Sequence, residues 1–137
     1  MLVEQFVAKT FPRAHWTHEA HLCVGLWHVL NHGASDAMAL LRDRIRAYNE
    51  SVGTQNSATS GYHETITQFY VLIICNFLAE SNPHLSVDEL STLLLEKHGD
   101  RGLVLRYYSR ELLFSVNARL NWVAPDKQLI AGPPMLQ

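Results

Sequence analysis

Charge is what this sequence has least of. Asp, Glu, Lys and Arg make up 18% of its 137 residues, against about 25% in a typical soluble domain. Eleven basic side chains face 13 acidic ones, for a formal net charge of -2, and 47% of the chain is hydrophobic. That balance excludes a disordered chain and a protein built for sequence-independent grip on nucleic acid. Cysteine is equally scarce. Cys23 and Cys75 lie in apolar runs with no C-x-x-C spacing, which excludes a zinc ribbon and reads as two buried free thiols.

Long apolar runs are missing too. The most apolar stretch, 69–79, is interrupted by Asn76 and falls short of the ~18–20 residues that span a bilayer. Glu4 stands where a signal peptide carries bases. The expectation is a cytoplasmic protein with no membrane or nucleic-acid partner, and with self-association left open. There is no G-x-S-x-G elbow, no phosphate-binding loop and no dinucleotide fingerprint. The length suits one domain, in which folding buries ~68% of the unfolded chain's surface, enough for a core without metal or disulfide staples.

Helical signals dominate what is present. Thr17 can cap a helix over 17–32 that stops at Gly33, and Ser35 can cap a second over 36–51, with Met38, Leu41, Ile45 and Tyr48 at helical spacing. A polar, glycine-bounded loop, 53–61, follows. The third helix, 62–80, is apolar nearly all round after its first two turns, as a central helix would be. Asn82-Pro83 breaks the chain, and Ser86-Val-Asp-Glu89 forms a capping-box pattern opening a fourth helix over 87–98. Shorter helices over 103–108 and 111–121 follow, with Ser109 and Ser115 as caps, and 125–137 reads as an irregular strap. No strand pair is signalled. The expected fold is a single all-α, up-down bundle of four main helices.

Histidine is the one residue in excess: eight in all, five between His15 and His32. On a wheel of 100° per residue, His18, His21, His28 and His32 share an arc of ~80°, with Gly25 among them. An ordinary solvent face uses Lys and Glu; this one has neither, so a stripe facing a cavity competes with a surface stripe. In helix 62–80 the sector of His63, Glu64, Thr67 and Gln68 turns apolar at Val71, Ile74, Cys75 and Leu78. That is the profile of a polar pocket at one end of a core.

In an up-down bundle the starts of the first and third helices meet the end of the second. That end would collect His15, His18, His21, Arg46, Tyr48, Asn49, Tyr62, His63 and Glu64. His98, Asp100 and Arg101 would join them if the fourth helix descends. The leading expectation is a small metal-dependent enzyme. His18, His21 and His63 would hold one divalent zinc, iron, copper or nickel ion, and Glu64 and His63 would serve as catalytic groups. Arg46, Tyr48, Asn49 and Tyr62 would bind a small polar or anionic substrate. Two alternatives stay open: a metal-free acid–base enzyme using His63 and Glu64, and a non-catalytic small-molecule-binding module. The spacing of His18-Glu-Ala-His21 misses H-E-x-x-H by one residue, and no Glu-x-x-His pair exists.

The strings His15-Trp-Thr-His-Glu-Ala-His-Leu22, Tyr48-Asn49, Gly61-Tyr-His-Glu-Thr-Ile-Thr67 and Tyr108-Ser-Arg-Glu111 resemble those of an uncharacterised family of small bacterial all-helical proteins. The resemblance spans roughly residues 12 to 126. It implies a small, soluble, single-domain protein and supplies no activity. A looser likeness is to DinB-like metal-binding bundles, which also draw histidines from different helices; the local spacing departs from theirs, and no residues carry over.

Overall fold

The computed structural model describes residues 2–132. The chain is all-α, with no strand among the described residues. Five longer helices carry the architecture: α1 (Leu2–Ala8), α2 (His18–His32), α3 (Ala34–Ser51), α4 (Glu64–Glu80) and α5 (Val87–His98). A 3-10 turn (Arg13–His15) precedes α2, and three short helices follow α5: α6 (Val104–Tyr107), α7 (Arg110–Leu113) and α8 (Val116–Leu120). Helices α2, α3 and α4 pack on one another, α1 leans on α2 and α3, α5 on α2 and α4, and α8 on α4. The core is continuous, from Val3 and Phe6 through Leu26 and Leu41 to Phe69, Leu72, Leu94 and Leu113.

Local chemistry sets most helix starts. Thr17 Oγ1 accepts from the Ala20 N–H, and Ser109 and Ser115 cap α7 and α8 in the same way. Both halves of the Ser86–Glu89 capping box form, each at 3.1 Å. Three expectations need correction. Ser35 lies inside α3, whose N-cap is Gly33 at φ 77°, a left-handed conformation that glycine adopts freely. The expected helix over 111–121 is two, parted where Ser115 turns extended to cap α8. Helix α4 begins after His63, two residues later than expected.

Helix α1 has no counterpart in the sequence reading. Only Val3 and Phe6 mark its buried side, too short a pattern to separate from an irregular end. Past Pro125 the chain is non-helical and lies on the core, with Ile130 buried and Asn76 Nδ2 donating to the Ala131 carbonyl at 2.8 Å. The remainder of the expected strap, 133–137, lies outside the described residues. Cys23 and Cys75 are free and half-buried. No helix is long and apolar enough to cross a membrane among the described residues.

Candidate functional site: two chambers meeting at His21

The first turn of α2 supplies two imidazoles. His21 Nδ1–H donates to the Thr17 carbonyl at 2.7 Å, which fixes the tautomer and leaves Nε2 as the basic nitrogen. The Trp16 ring lies against it, centroids 3.9 Å apart. His21 is exposed and lines the cavities beside it, while the surrounding protein partly desolvates its ring. That desolvation lowers its pKa, with the Thr17 carbonyl opposing and His18 adding to the effect. His18 is half-buried, and burial lowers its pKa despite nearby Glu19.

His18 packs edge-on against Tyr70 of α4, centroids 5.3 Å apart. The Nε2 atom of His18 and the hydroxyl of Tyr70 are both shielded from solvent and lack a hydrogen-bond partner. The main chain at Val104 approaches the Tyr70 oxygen without completing a bond, and burial pushes the phenol up to about 12. Each unsatisfied buried polar atom costs about 1–3 kcal/mol.

These side chains edge a cavity of about 360 Å³ between α2, α3 and α4. Leu22, Leu41, Val71 and Ile74 form its apolar wall; His18, His21, Thr67 and Tyr70 form its polar edge. Gly25 belongs to the wall because there is little room for more: a Cβ there would sit 3.0 Å from the Ile74 Cδ1. A second cavity, of about 270 Å³, lies beneath the loop joining α3 to α4. Trp16, Asn49, Thr54, Tyr62 and His63 line it, and it shares His21, Ile66 and Thr67 with the first.

The loop itself is stapled by Asn56. Its Oδ1 accepts from Asn49 Nδ2 at 3.1 Å and from the Tyr62 N–H at 3.0 Å, while its Nδ2 donates to the Arg46 carbonyl. Gly61, at φ 76°, makes the left-handed turn that returns the chain to α4.

The expected convergence of helix ends is therefore present: the start of α2, the last turns of α3 and the start of α4 meet at these chambers. The roles assigned to several residues differ. His63 is the N-cap of α4. Its Nδ1 accepts from the Ile66 N–H at 3.1 Å, and its Nε2–H donates to the Leu113 carbonyl at 2.8 Å. Both nitrogens are committed to the main chain, so the expected three-histidine metal centre loses a ligand. The described residues hold no group of three His, Cys, Asp or Glu placed to bind a metal ion.

Glu64 does not face either chamber as a free base. Arg42 grips it with two bonds, Nε to Oε1 at 2.9 Å and Nη2 to Oε2 at 2.7 Å, and the Tyr62 hydroxyl donates to Oε1 at 2.8 Å. Burial alone would raise its pKa; the Arg42 and Tyr62 hydrogen bonds outweigh that and hold it below the usual carboxylate range.

Among the expected substrate contacts, Asn49 and Tyr62 line the second chamber. Tyr48 is fully buried and donates to the Phe11 carbonyl, and Arg46 lies over the Tyr62 ring at 5.1 Å. His28 is a satisfied core residue: Nδ1–H donates to the Val24 carbonyl, and Nε2 accepts from Arg44. His15 and His32 are exposed, and His98 packs against Phe77. Arg42, Thr54 and Tyr70 are the residues that sequence reasoning missed. Tyr70 stood in an apolar run, and Arg42 lies 22 positions from its partner. Comparison with family models, curated proteins and solved structures finds no match.

Proposed function

We propose that this protein binds a small, largely apolar molecule in the chamber between α2, α3 and α4. The observation that carries this is one apolar cavity of about 360 Å³ edged by His18, His21, Thr67 and Tyr70, two of which have buried polar atoms without partners. Small-molecule sites are typically concave, about 300–1,000 Å³ and mostly apolar, with a few convergent polar groups. This chamber sits at the lower end of that range. The expected polar or anionic ligand gives way to an apolar one because the wall offers no charge to pair with it.

A second reading is favoured by His21 itself. An imidazole that lines a cavity with Nδ1 anchored and Nε2 left to accept is the arrangement of an oriented general base. If the site is catalytic, proton transfer belongs to His21 rather than to Glu64.

The test uses 1-hexanol and Gly25→Ala. Saturable shifts of the Leu22, Val71 and Ile74 methyl resonances are expected with the native sequence. The added methyl should weaken binding at least fivefold. It should leave stability unchanged or raised, since alanine gains about 0.8–1 kcal/mol over glycine inside a helix, offset by crowding at Ile74. Absence of saturable shifts, or equal binding by the variant, would sink the reading.

A further inference from the structure

The two chambers have three residues in common, His21, Ile66 and Thr67. They are adjacent, with these three residues facing both, and they differ in character. The inner one is walled by aliphatic side chains. The outer one carries hydrogen-bonding groups at Asn49 and Thr54, under a loop that Asn56 holds in place. His21 lines both chambers, and Nε2 is its nitrogen left to accept, because Nδ1–H is spent on the Thr17 carbonyl.

Charge completes the picture. No Asp, Glu, Lys or Arg lines either chamber among the described residues. Arg42 is engaged with Glu64, Arg46 lies over Tyr62, and Arg119 donates to the Gly61 carbonyl at 2.7 Å. Beside His18, Glu19, Asp100 and Arg101 act with opposite signs from outside the lining, and Asp100 also acts on Tyr70. A carboxylate or ammonium head would therefore enter without a counter-ion in the lining, which is far costlier than burying a hydroxyl or amide that finds partners. Neither histidine offsets this readily, since desolvation disfavours the charged form of both rings.

We infer that the two chambers form one continuous site for an uncharged amphiphile. Its apolar tail lies against Gly25 and Ile74, its first hydroxyl or amide N–H donates to His21 Nε2, and a further polar group of the head reaches Thr54 and Asn49. This inference rests on the reading of the inner chamber as a ligand site, and it adds the outer chamber, the head group and the charge.

Three six-carbon probes separate these elements: 1-hexanol, 1-O-hexylglycerol and hexanoate, titrated by calorimetry. Hexylglycerol is expected to bind about tenfold more tightly than hexanol, the worth of one or two added hydrogen bonds net of desolvation. Hexanoate is expected to bind at least tenfold more weakly than hexanol at pH 7.5. Thr54→Trp, which fills the outer chamber, should erase the advantage of the glyceryl head and leave hexanol unchanged. Gly25→Ala should weaken hexanol and hexylglycerol alike.

Equal affinity of hexanol and hexylglycerol, indifferent to Thr54→Trp, would overturn the continuous site while leaving the inner chamber as a binding site. Hexanoate binding as well as hexanol would overturn the uncharged assignment. No binding of hexanol would remove the inner site and this inference with it. Should Thr54→Trp fail to fold, intermolecular nuclear Overhauser contacts in the native protein decide: glyceryl methylenes to the Thr54 methyl and the chain terminus to Ile74 are required, and their absence refutes the arrangement.

Discussion

At the scale of single residues, the site turns on which polar atoms are already occupied. His28, His63 and Glu64 each carry chemistry-bearing groups, and each has spent them on the fold. His18 and His21 have not spent theirs fully. Glu64→Gln tests the distinction. It replaces the two-bond grip of Arg42 by one acceptor and leaves that guanidinium without its charged partner, so a loss of about 2–3 kcal/mol is expected in urea denaturation. This is below the ~3–5 kcal/mol typical of a fully buried pair, because the Arg42 side chain is 37% exposed and partly screened by solvent. Hexanol binding should be unchanged, whereas a catalytic or ligand-holding Glu64 would show its loss there. The sequence made His18 and His21 legible, because both lie on one face of a strongly patterned helix. It could not separate His63 as a cap from His63 as a ligand. Either role puts a histidine at a helix start, and the deciding partner, Leu113, lies 50 residues away.

At the scale of elements, what is local was readable and what is tertiary was not. Thr17, Ser86, Ser109 and Ser115 act as caps because each bonds an N–H three residues on, within reach of a sequence pattern. Helix α1 was not readable, since it is held by Phe6 stacking on Trp16 at 4.8 Å rather than by its own periodicity. The start of α4 lies between these cases. His63→Asn keeps a strong N-cap and gives up the bond to Leu113, and His63→Ala gives up both. Losses of about 1 and about 2 kcal/mol are expected for the two, read from unfolding midpoints. Equal losses would mean that the imidazole does not cap the helix.

At the scale of the whole molecule, protons and the C-terminal segment act on the same end of the fold. His18, His21, His28 and His63 all have pKa values lowered from 6.5, chiefly by burial, in three of them against opposing main-chain hydrogen bonds. Below 6.5 the unfolded chain therefore binds more protons than the native one. Stability should be fully present above about pH 6.5 and fall progressively as pH drops through the lowered folded values. Glu64, also lowered, adds a second loss below its ordinary 4.5. Urea midpoints measured from pH 8 to pH 4 should show both limbs; a flat profile down to pH 5 would contradict the histidine limb. The short helices α6 to α8, four or five residues each, are far below the length at which a helix persists alone. They exist because they are docked, and two of them reach residues that line the outer chamber: Leu113 of α7 accepts from His63, and Arg119 of α8 donates to the Gly61 carbonyl, while Asn121 just beyond α8 accepts from Thr65 at the start of α4. The roof over residues 53–61 is thus fastened from the far end of the chain. On the proposed ligand-binding reading, occupancy and C-terminal docking become linked equilibria: a molecule seated at His21 is expected to tighten helices it never touches, and loosening those helices to discharge it.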